Sequence, residues 1–153
     1  RTIQANIFSY EYTFENWDKL AKESMEKLAA EGEAIERKHF KDIRELLAAG
    51  QTRATILGHD VPICNLPYIF SSDAGHIMAE GEKFAACYWY TGTHVVFSLR
   101  SEDTGLDVSE IAKQFGGGGH KNAAGFQIEI QKLPEVGENR INLFTIGESN
   151  GNN

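Results

Sequence analysis

The chain has 153 residues, of which 41% are hydrophobic and 24% charged, and this balance supports a packed domain and excludes global disorder. Its apolar runs are far shorter than the ~18 residues of a membrane span, so no membrane partner is expected. The formal net charge of −7 argues against a protein that coats long nucleic acid, because such binding depends on many phosphate contacts. This net charge is still compatible with a small pocket that holds one or two phosphates.

The two cysteines, Cys64 and Cys87, lie far apart among apolar residues and form no C-x-x-C pair. This usage is typical of buried, reduced thiols. No basic start followed by an apolar stretch is present, so the expected location is cytoplasmic. The first residue is Arg1 rather than Met, which suggests a fragment of a longer protein.

The first third of the chain carries apolar residues at helical spacing. They predict a helix over about 14–49, bent near Gly32 and ended by Gly50. We therefore expect residues 1–50 to form a helical interdomain or linker segment. An amphipathic helix that lies on a sheet is the alternative.

Two β-hairpins are predicted in the middle of the chain. The first has its turn at residues 58–60, and the second joins strands at 84–90 and 94–100. Both strands of the second hairpin are apolar at nearly every position, so we expect them to be covered on both faces. Ser71 or Ser72 is a candidate cap for a short helix between the hairpins.

The remaining elements complete an α/β pattern. Asp107 is expected to cap a short helix that ends at Gly116, and a half-buried strand begins near Phe126. Residues 148–153 are polar and are expected to form a disordered tail. The element order predicts an α/β fold, with a mixed sheet of about five strands, flanking helices and a long N-terminal helical segment.

The singular feature of the sequence is residues 116–125, which read GGGGHKNAAG. Four consecutive glycines are costly to order, but they permit positive φ and a close approach of the backbone to a ligand. Their N–H groups can converge on an anion, and a helical turn over 120–124 would direct more N–H groups to it. His120 and Lys121 add donors and positive charge. A flexible linker between helix and strand is the alternative.

Two other positions could carry chemistry. Arg100 ends an apolar strand and could present a bidentate fork to a phosphate or carboxylate, whereas a solvated strand end or a salt bridge is the alternative. Asp73 and His76 share one face of a short helix, but two ligands are too few for a metal site, and a capping Asp with a packed His is favoured. No catalytic or metal-ligating residue is assigned. The candidate substrate-binding residues are Arg100, Gly116, Gly117, Gly118, Gly119, His120 and Lys121.

The run at 116–125 resembles the G-G-G-H-x-x-A-A-G signature of the DHH-associated domain, the C-terminal substrate-binding half of DHH-superfamily phosphoesterases such as RecJ-like nucleases and oligoribonucleases. Residues 98–101 resemble the strand with the substrate arginine, and residues 107–112 resemble the helix before the glycines. The resemblance covers roughly residues 8–130 and places the DHH-associated domain at 51–147.

The resemblance also implies what lies outside this chain. Its family binds divalent metals, Mn²⁺ or Mg²⁺, in an N-terminal DHH domain, and nothing like that motif is present here. The implied role is substrate binding for a hydrolase that cleaves short oligonucleotides or related phosphate compounds, with the glycine amides, His120 and Arg100 orienting the phosphate. This segment alone is expected to be inactive and to hold no cofactor.

The expected partners are the DHH domain of the same chain, a short nucleic acid or another phosphate-bearing substrate, and a second copy in a homodimer. The alternative function is a non-catalytic module for nucleic-acid binding or dimerisation, like the C-terminal domain of alanyl-tRNA synthetase. A degenerate DHH relative without activity is a third reading.

Overall fold

The computed structural model describes residues 1–130 and the backbone of residues 145–146. By its internal contacts the chain divides into two compact units, Arg1–Glu45 and Leu46–Asn153. The predicted tail at 148–153 lies outside the described residues.

The first unit is helical, but its helices are shorter than predicted. The helices are α1 (Thr2–Ile7), α2 (Phe14–Leu20) and α3 (Met25–Gly50), the last of which continues into the second unit. The single helix expected over 14–49 is therefore wrong, because the chain leaves the helical path after α2. The hydroxyl of Ser24 then accepts a hydrogen bond from the amide of Lys27 at 3.2 Å and so caps a new helix.

Helix α3 runs through Gly32 without interruption. A Cβ atom built on Gly32 would lie 1.8 Å from the carbonyl oxygen of Thr2, so the glycine permits the start of α1 to approach α3. The buried Asn6 fixes this approach, because its Nδ2 donates to the carbonyl of Leu28 at 3.0 Å and to Glu31 Oε2 at 2.9 Å.

The second unit is built on a mixed sheet with helices on it. The strands are β1 (Gln51–Ile56), β2 (His59–Asn65), β3 (Ala85–Tyr90), β4 (His94–Arg100), β5 (Gly118–His120), β6 (Ala123–Glu129) and β7 (Thr145–Ile146). Their order is β5-β6-β4-β3-β2-β1-β7, and the β2–β3 and β1–β7 pairs are parallel. The helices are α4 (Ser71–Ala79) and α5 (Val108–Lys113). This architecture confirms the predicted α/β class with a mixed sheet.

One hairpin turn and one helix cap differ from expectation. The first hairpin turns at Leu57 and Gly58, whose φ angles are 47° and 77°, whereas residues 59 and 60 already belong to β2. Positive φ at both central residues is the geometry of a two-residue hairpin turn. Ser71 does not cap α4, because its hydroxyl donates to the carbonyl of Tyr68 at 2.7 Å.

The hydrophobic core lies on one face of the sheet and is closed by α5. Asp107 Oδ1 accepts from the amide of Ser109 at 2.9 Å and caps this helix as predicted. Stacked aromatic rings join α5 to the sheet: Phe126 lies 4.3 Å from Phe115 and 4.7 Å from Phe97, between ring centroids. Side chains at alternate positions of β4 supply this face, as Val95, Phe97 and Leu99 are all buried.

The opposite face of the sheet is covered only in part. Helix α4 packs on β3, β4 and β2, while β5 and β6 extend past it. The expectation that the second hairpin is covered on both faces is wrong for the outer half of β4, where His94 and Val96 are half-buried. An apolar run does not reveal which of its positions lie beyond the end of a short covering helix.

Candidate functional site

A cleft of about 660 Å³ opens where α4 leaves this face uncovered. It is formed by β3, β4, β6 and the glycine run. Its lining consists of Trp89, Val96, Phe97, Ser98, Arg100, Gly116, Gly117, Gly118, Gly119, Ala123, Ala124, Gly125, Phe126 and Gln127. Two regions that are distant in sequence, the end of β4 and the glycine run, therefore meet in one cavity.

The pairing register of the strands explains why the end of β4 and the glycine run border one cleft. Ser98 pairs with Gly125 of β6, and Gly125 pairs in turn with Gly118 of β5. Directly opposed residues on antiparallel strands project to the same face, so Ser98 and Gly118 border the same cleft. The absence of side chains at Gly118 and Gly125 leaves the space beside Ser98 open.

Arg100 is the charged side chain of this cleft. Its Nη1 donates to Ser98 Oγ at 3.0 Å and to the carbonyl of Leu99 at 2.8 Å, while its Nε is buried without a hydrogen-bond partner. Burial lowers the pKa of the guanidinium, and attraction to Cys87 and Asp73 opposes that shift in part. Arg100 is thus a partly desolvated donor, not the solvated strand end considered above.

Helix α4 holds the stem of Arg100 in place. A Cβ atom built on Gly75 would lie 2.8 Å from Cγ of Arg100 and 3.3 Å from its Cβ. Any larger residue would press on the arginine, because real Cβ atoms do not approach that closely. Glycine at position 75 therefore leaves the space that the stem of Arg100 occupies.

The sequence suggested that the amides of the glycine run converge on an anion, but the first two of them are bonded within the fold. The amides of Gly116 and Gly117 donate to the carbonyls of Lys113 and Ala112, at 3.0 and 2.9 Å, and so close the end of α5. Gly116 adopts φ 77°, which is typical of a glycine that ends a helix. These two amides are consequently already committed to the fold.

The surroundings of the next three glycines differ in whether they leave space for a side chain. A Cβ on Gly117 would lie 2.2 Å from the carbonyl oxygen of Gly125, and one on Gly119, where φ is 145°, would lie 2.5 Å from that of Ala123. A Cβ on Gly118 would meet nothing within 4 Å. Gly117 and Gly119 serve close backbone packing, whereas Gly118 faces open space in the cleft.

The helical turn considered for residues 120–124 does not form. Gly118–His120 is a strand, and it forms a hairpin with β6. The hairpin turn is anchored by its carbonyls: Lys121 accepts from the amide of Val108 at 2.8 Å, and Asn122 accepts from that of Ser101 at 3.2 Å. Through these two hydrogen bonds, the turn connects the start of α5 to the end of β4.

His120 and Lys121 lie outside the lining of the cleft. The register pairs Arg100 with Ala123, and Ala123 with His120, so the exposed His120 shares the face of Arg100 at a distance of two strands, about 10 Å. Lys121 Nζ donates to the carbonyl of Asp103 at 3.3 Å. The structure therefore brings Arg100 together with the glycines, and it sets the two basic residues apart.

Trp89, Ser98 and Gln127 line the cleft on the face that carries Arg100, and none of them was a candidate from the sequence. Strand register places them together, since Trp89 and Gln127 both pair with Val96, which lies two residues before Ser98 on β4. This signal can be used only when the pairing of β3, β4 and β6 is known. The sequence carries no direct sign of that pairing.

Asp73 and His76 both lie on α4, where the side chain of His76 is exposed rather than packed. Nδ1 of His76 lies 2.7 Å from the carbonyl oxygen of Ser72, within the same helix. Across the residues that the structure describes, no three His, Cys, Asp or Glu side chains are grouped so that they could hold a metal ion. Within the same residues, no helix has both the length and the apolar character needed to cross a membrane.

Part of the chain matches a known family of domains. The DHHA1 domain family model matches residues 72–143, which include the whole cleft lining. An uncharacterized protein of Acanthamoeba polyphaga mimivirus is 43% identical over 67 residues, which are 40% of this chain and 16% of that protein. The chain thus spans a small part of this relative.

A solved structure shares the fold. The pGpG-specific phosphodiesterase PggH from Vibrio cholerae has a TM-score of 0.57 at 13% identity, over 85% of this chain and 52% of that one. A weaker match, to a DHH domain described as belonging to a family of ribosomal proteins, has a TM-score of 0.48 at 12% identity, over 84% and 37% of the two chains. Residues 72–143, just under half of the chain, thus match the DHHA1 domain family model, and the PggH likeness shows a shared fold.

Proposed function

We propose that this chain is the substrate-binding part of a DHH-family phosphoesterase and that its cleft holds a phosphate group of the substrate. The observation that carries the proposal is Arg100, a partly desolvated guanidinium with a buried, unpartnered Nε, placed opposite glycines that leave room for a ligand. The DHHA1 match at 72–143 supports the phosphoesterase context.

Charge in the cleft favours an anion. Among the described residues that line it, Arg100 is the one with a charged side chain, and none is acidic. A buried donor without a partner is costly, and a charge-assisted hydrogen bond to a phosphate oxygen would remove that cost. Ser98 Oγ lies beside the guanidinium and offers a further polar contact.

The metal belongs to a different part of the proposed enzyme. The described residues offer no group of three ligands, so they do not fit a divalent ion. Mn²⁺ or Mg²⁺ would be held by an N-terminal DHH domain, which DHHA1 domains normally accompany. The role proposed for this chain is to bind and orient the phosphate.

Titration of the purified chain with inorganic phosphate at constant ionic strength tests the proposal. Amide signals of Ser98, Arg100 and Gly118 should shift first in NMR spectra, and Arg100→Ala should abolish the shifts. Arg100→Lys should not restore them if the contact is bidentate, because an ammonium has no planar fork.

Arg53→Ala is the matched control. Arg53 is an exposed arginine of the same unit, already paired with Asp60 at 2.7 Å and Glu82 at 2.8 Å, so its loss should leave phosphate binding intact. Phosphate shifts of unchanged size in Arg100→Ala, or shifts that map away from the cleft, would contradict the proposed site.

A further inference from the structure

A row of exposed aromatic side chains lies along the turn between α1 and α2. Its members are Phe8, Tyr12, Phe14 and Trp17, whose exposed fractions are 59%, 71%, 92% and 47%. The ring of Tyr12 lies 6.4 Å from that of Phe8 and 6.3 Å from that of Trp17, between centroids. Phe14 and Trp17 are three residues apart on α2, so they are neighbours on its surface. These four rings form one continuous surface, which we call the aromatic patch.

Hydrogen bonds within the turn hold the aromatic patch in shape. The hydroxyl of Thr13 accepts from the amide of Asn16 at 3.2 Å and caps α2, and Nδ2 of Asn16 donates to the carbonyl of Glu11 at 2.9 Å. Near the end of α1, Ser9 Oγ donates to the carbonyl of Asn6 at 2.7 Å. A continuous apolar surface on a fixed turn is typical of an interaction site, because little further freedom is lost when a partner covers it.

The size of the aromatic patch indicates the kind of partner. An aromatic side chain has about 200 Å² of surface to bury, so the four rings at their exposed fractions offer about 500 Å². Two separate proteins that form a stable complex need about 800 Å² on each side. Domains of one chain bury about 600–1,500 Å² in total, and their covalent linkage supplies a high effective concentration. The aromatic patch is therefore too small for a stable dimer of separate chains, but it fits a domain that is joined to this one.

The charges beside the aromatic patch favour a protein partner. Residues 2–18 contain three acidic residues, Glu11, Glu15 and Asp18, and no lysine, arginine or histidine. Anionic lipid headgroups and nucleic-acid phosphates are attracted by clustered basic residues, which this segment lacks. The complementary partner is a protein surface with an apolar groove and basic residues at its rim.

We infer that the aromatic patch is the docking surface for the DHH domain of the same protein, which would present such a groove. The inference rests on the proposed function, which assigns the metal to an N-terminal DHH domain, and it names the surface of this chain that the DHH domain contacts. Docking there would fix the orientation of the DHH domain on the first unit.

Hydroxyl-radical footprinting read by mass spectrometry tests the inference, because hydroxyl radicals oxidise exposed aromatic side chains. The full-length protein, with its DHH domain, is compared with the chain of residues 1–153. Oxidation of Tyr12, Phe14 and Trp17 should fall severalfold in the full-length protein. Tyr90 is the internal control, since it is 51% exposed and its neighbour in β3 lines the cleft, so that Tyr90 faces away from it. Its oxidation should be equal in the two proteins.

A variant of the full-length protein checks that the rings themselves make the contact. When Tyr12→Ser is combined with Phe14→Ser, tryptic cleavage between the DHH domain and Arg1 should become about 30-fold faster. Proteolysis tracks the population of the open form, and loss of one interface hot spot changes an equilibrium by about that factor. Tyr90→Ser is the matched control and should leave the cleavage rate unchanged. All three rings are exposed, so their loss should leave the helices and the sheet folded, which circular dichroism can verify.

The outcomes separate this inference from the proposed function. Equal oxidation of the aromatic patch in the two proteins, or unchanged cleavage of the double variant, would overturn the docking surface, while phosphate titration of the chain tests the cleft independently. Protection that rises with protein concentration and accompanies a dimer in sedimentation would assign the aromatic patch to a second copy and overturn the inference. Binding of the chain to vesicles of phosphatidylcholine and phosphatidylserine, lost in the double variant, would overturn it too. A full-length protein without a DHH domain would contradict both proposals.

Discussion

Replacing neighbouring glycines by alanine should have opposite consequences at Gly117 and Gly118. In Gly117→Ala the new methyl would lie 2.2 Å from the carbonyl oxygen of Gly125 and 2.6 Å from Cβ of Phe126, so the β5–β6 hairpin must shift. Overpacking of this kind costs about 1–3 kcal/mol, which lowers the Tm of a chain of this size by roughly 2–12 °C.

Gly118→Ala should leave the fold intact. Its Cβ would have nothing within 4 Å, and its φ lies outside the positive range. Alanine also loses less backbone entropy than glycine on folding, so stability should be unchanged or higher by up to about 1 kcal/mol. The methyl enters the cleft, however, and phosphate affinity should fall roughly fivefold or more if the steric cost is about 1 kcal/mol.

Thermal unfolding by circular dichroism and phosphate titration of both variants provide the measurement. The stability difference tests the packing of the hairpin alone, and the affinity difference tests the cleft. Equal Tm values for the two variants would refute the packing argument. Undiminished phosphate binding in a folded Gly118→Ala protein would refute the placement of the ligand beside the glycine run.

Contacts around Arg100 and the burial of the two thiols lead to three further predictions. Gly75→Ala should displace the Arg100 stem and weaken phosphate binding while α4 stays helical, which NMR of the variant can check. Burial raises the pKa of Cys87 to about 12 and raises that of Cys64, so both thiols stay protonated at neutral pH. Iodoacetamide should therefore alkylate them only after unfolding, as mass spectrometry would report. In an enzyme that joins this chain to a DHH domain, Arg100→Ala should lower kcat/KM by a factor of order 10²–10³ with metal content unchanged.

Local signals predicted most elements of the second unit. Strand β4, the Asp107 cap of α5 and the strand after the glycines all occur near their predicted positions. Each follows from hydrophobic period or side-chain capping within a few residues. The break before α3 could not be predicted, because the apolar residues keep helical spacing across it. The sign of the break is the cap at Ser24, and a serine is also compatible with the interior of a helix.

The sequence predicts some residues of the site but not how they are brought together. A glycine run and an arginine at a strand end are visible in any sequence, but their meeting depends on the β4–β6–β5 pairing. That pairing also excludes Lys121 from the cleft, and it brings in Trp89 and Gln127. Long-range register, not residue type, therefore decides which candidates share one cavity.

The contact between Gly75 and Arg100 links two positions that are 25 residues apart. A side chain at position 75 is compatible with a shorter residue at position 100, but not with an arginine whose stem occupies the same space. Substitutions at the two positions should therefore be correlated among homologous sequences. Lineages that retain arginine at position 100 should retain glycine at position 75, and loss of the arginine should be followed by free variation there.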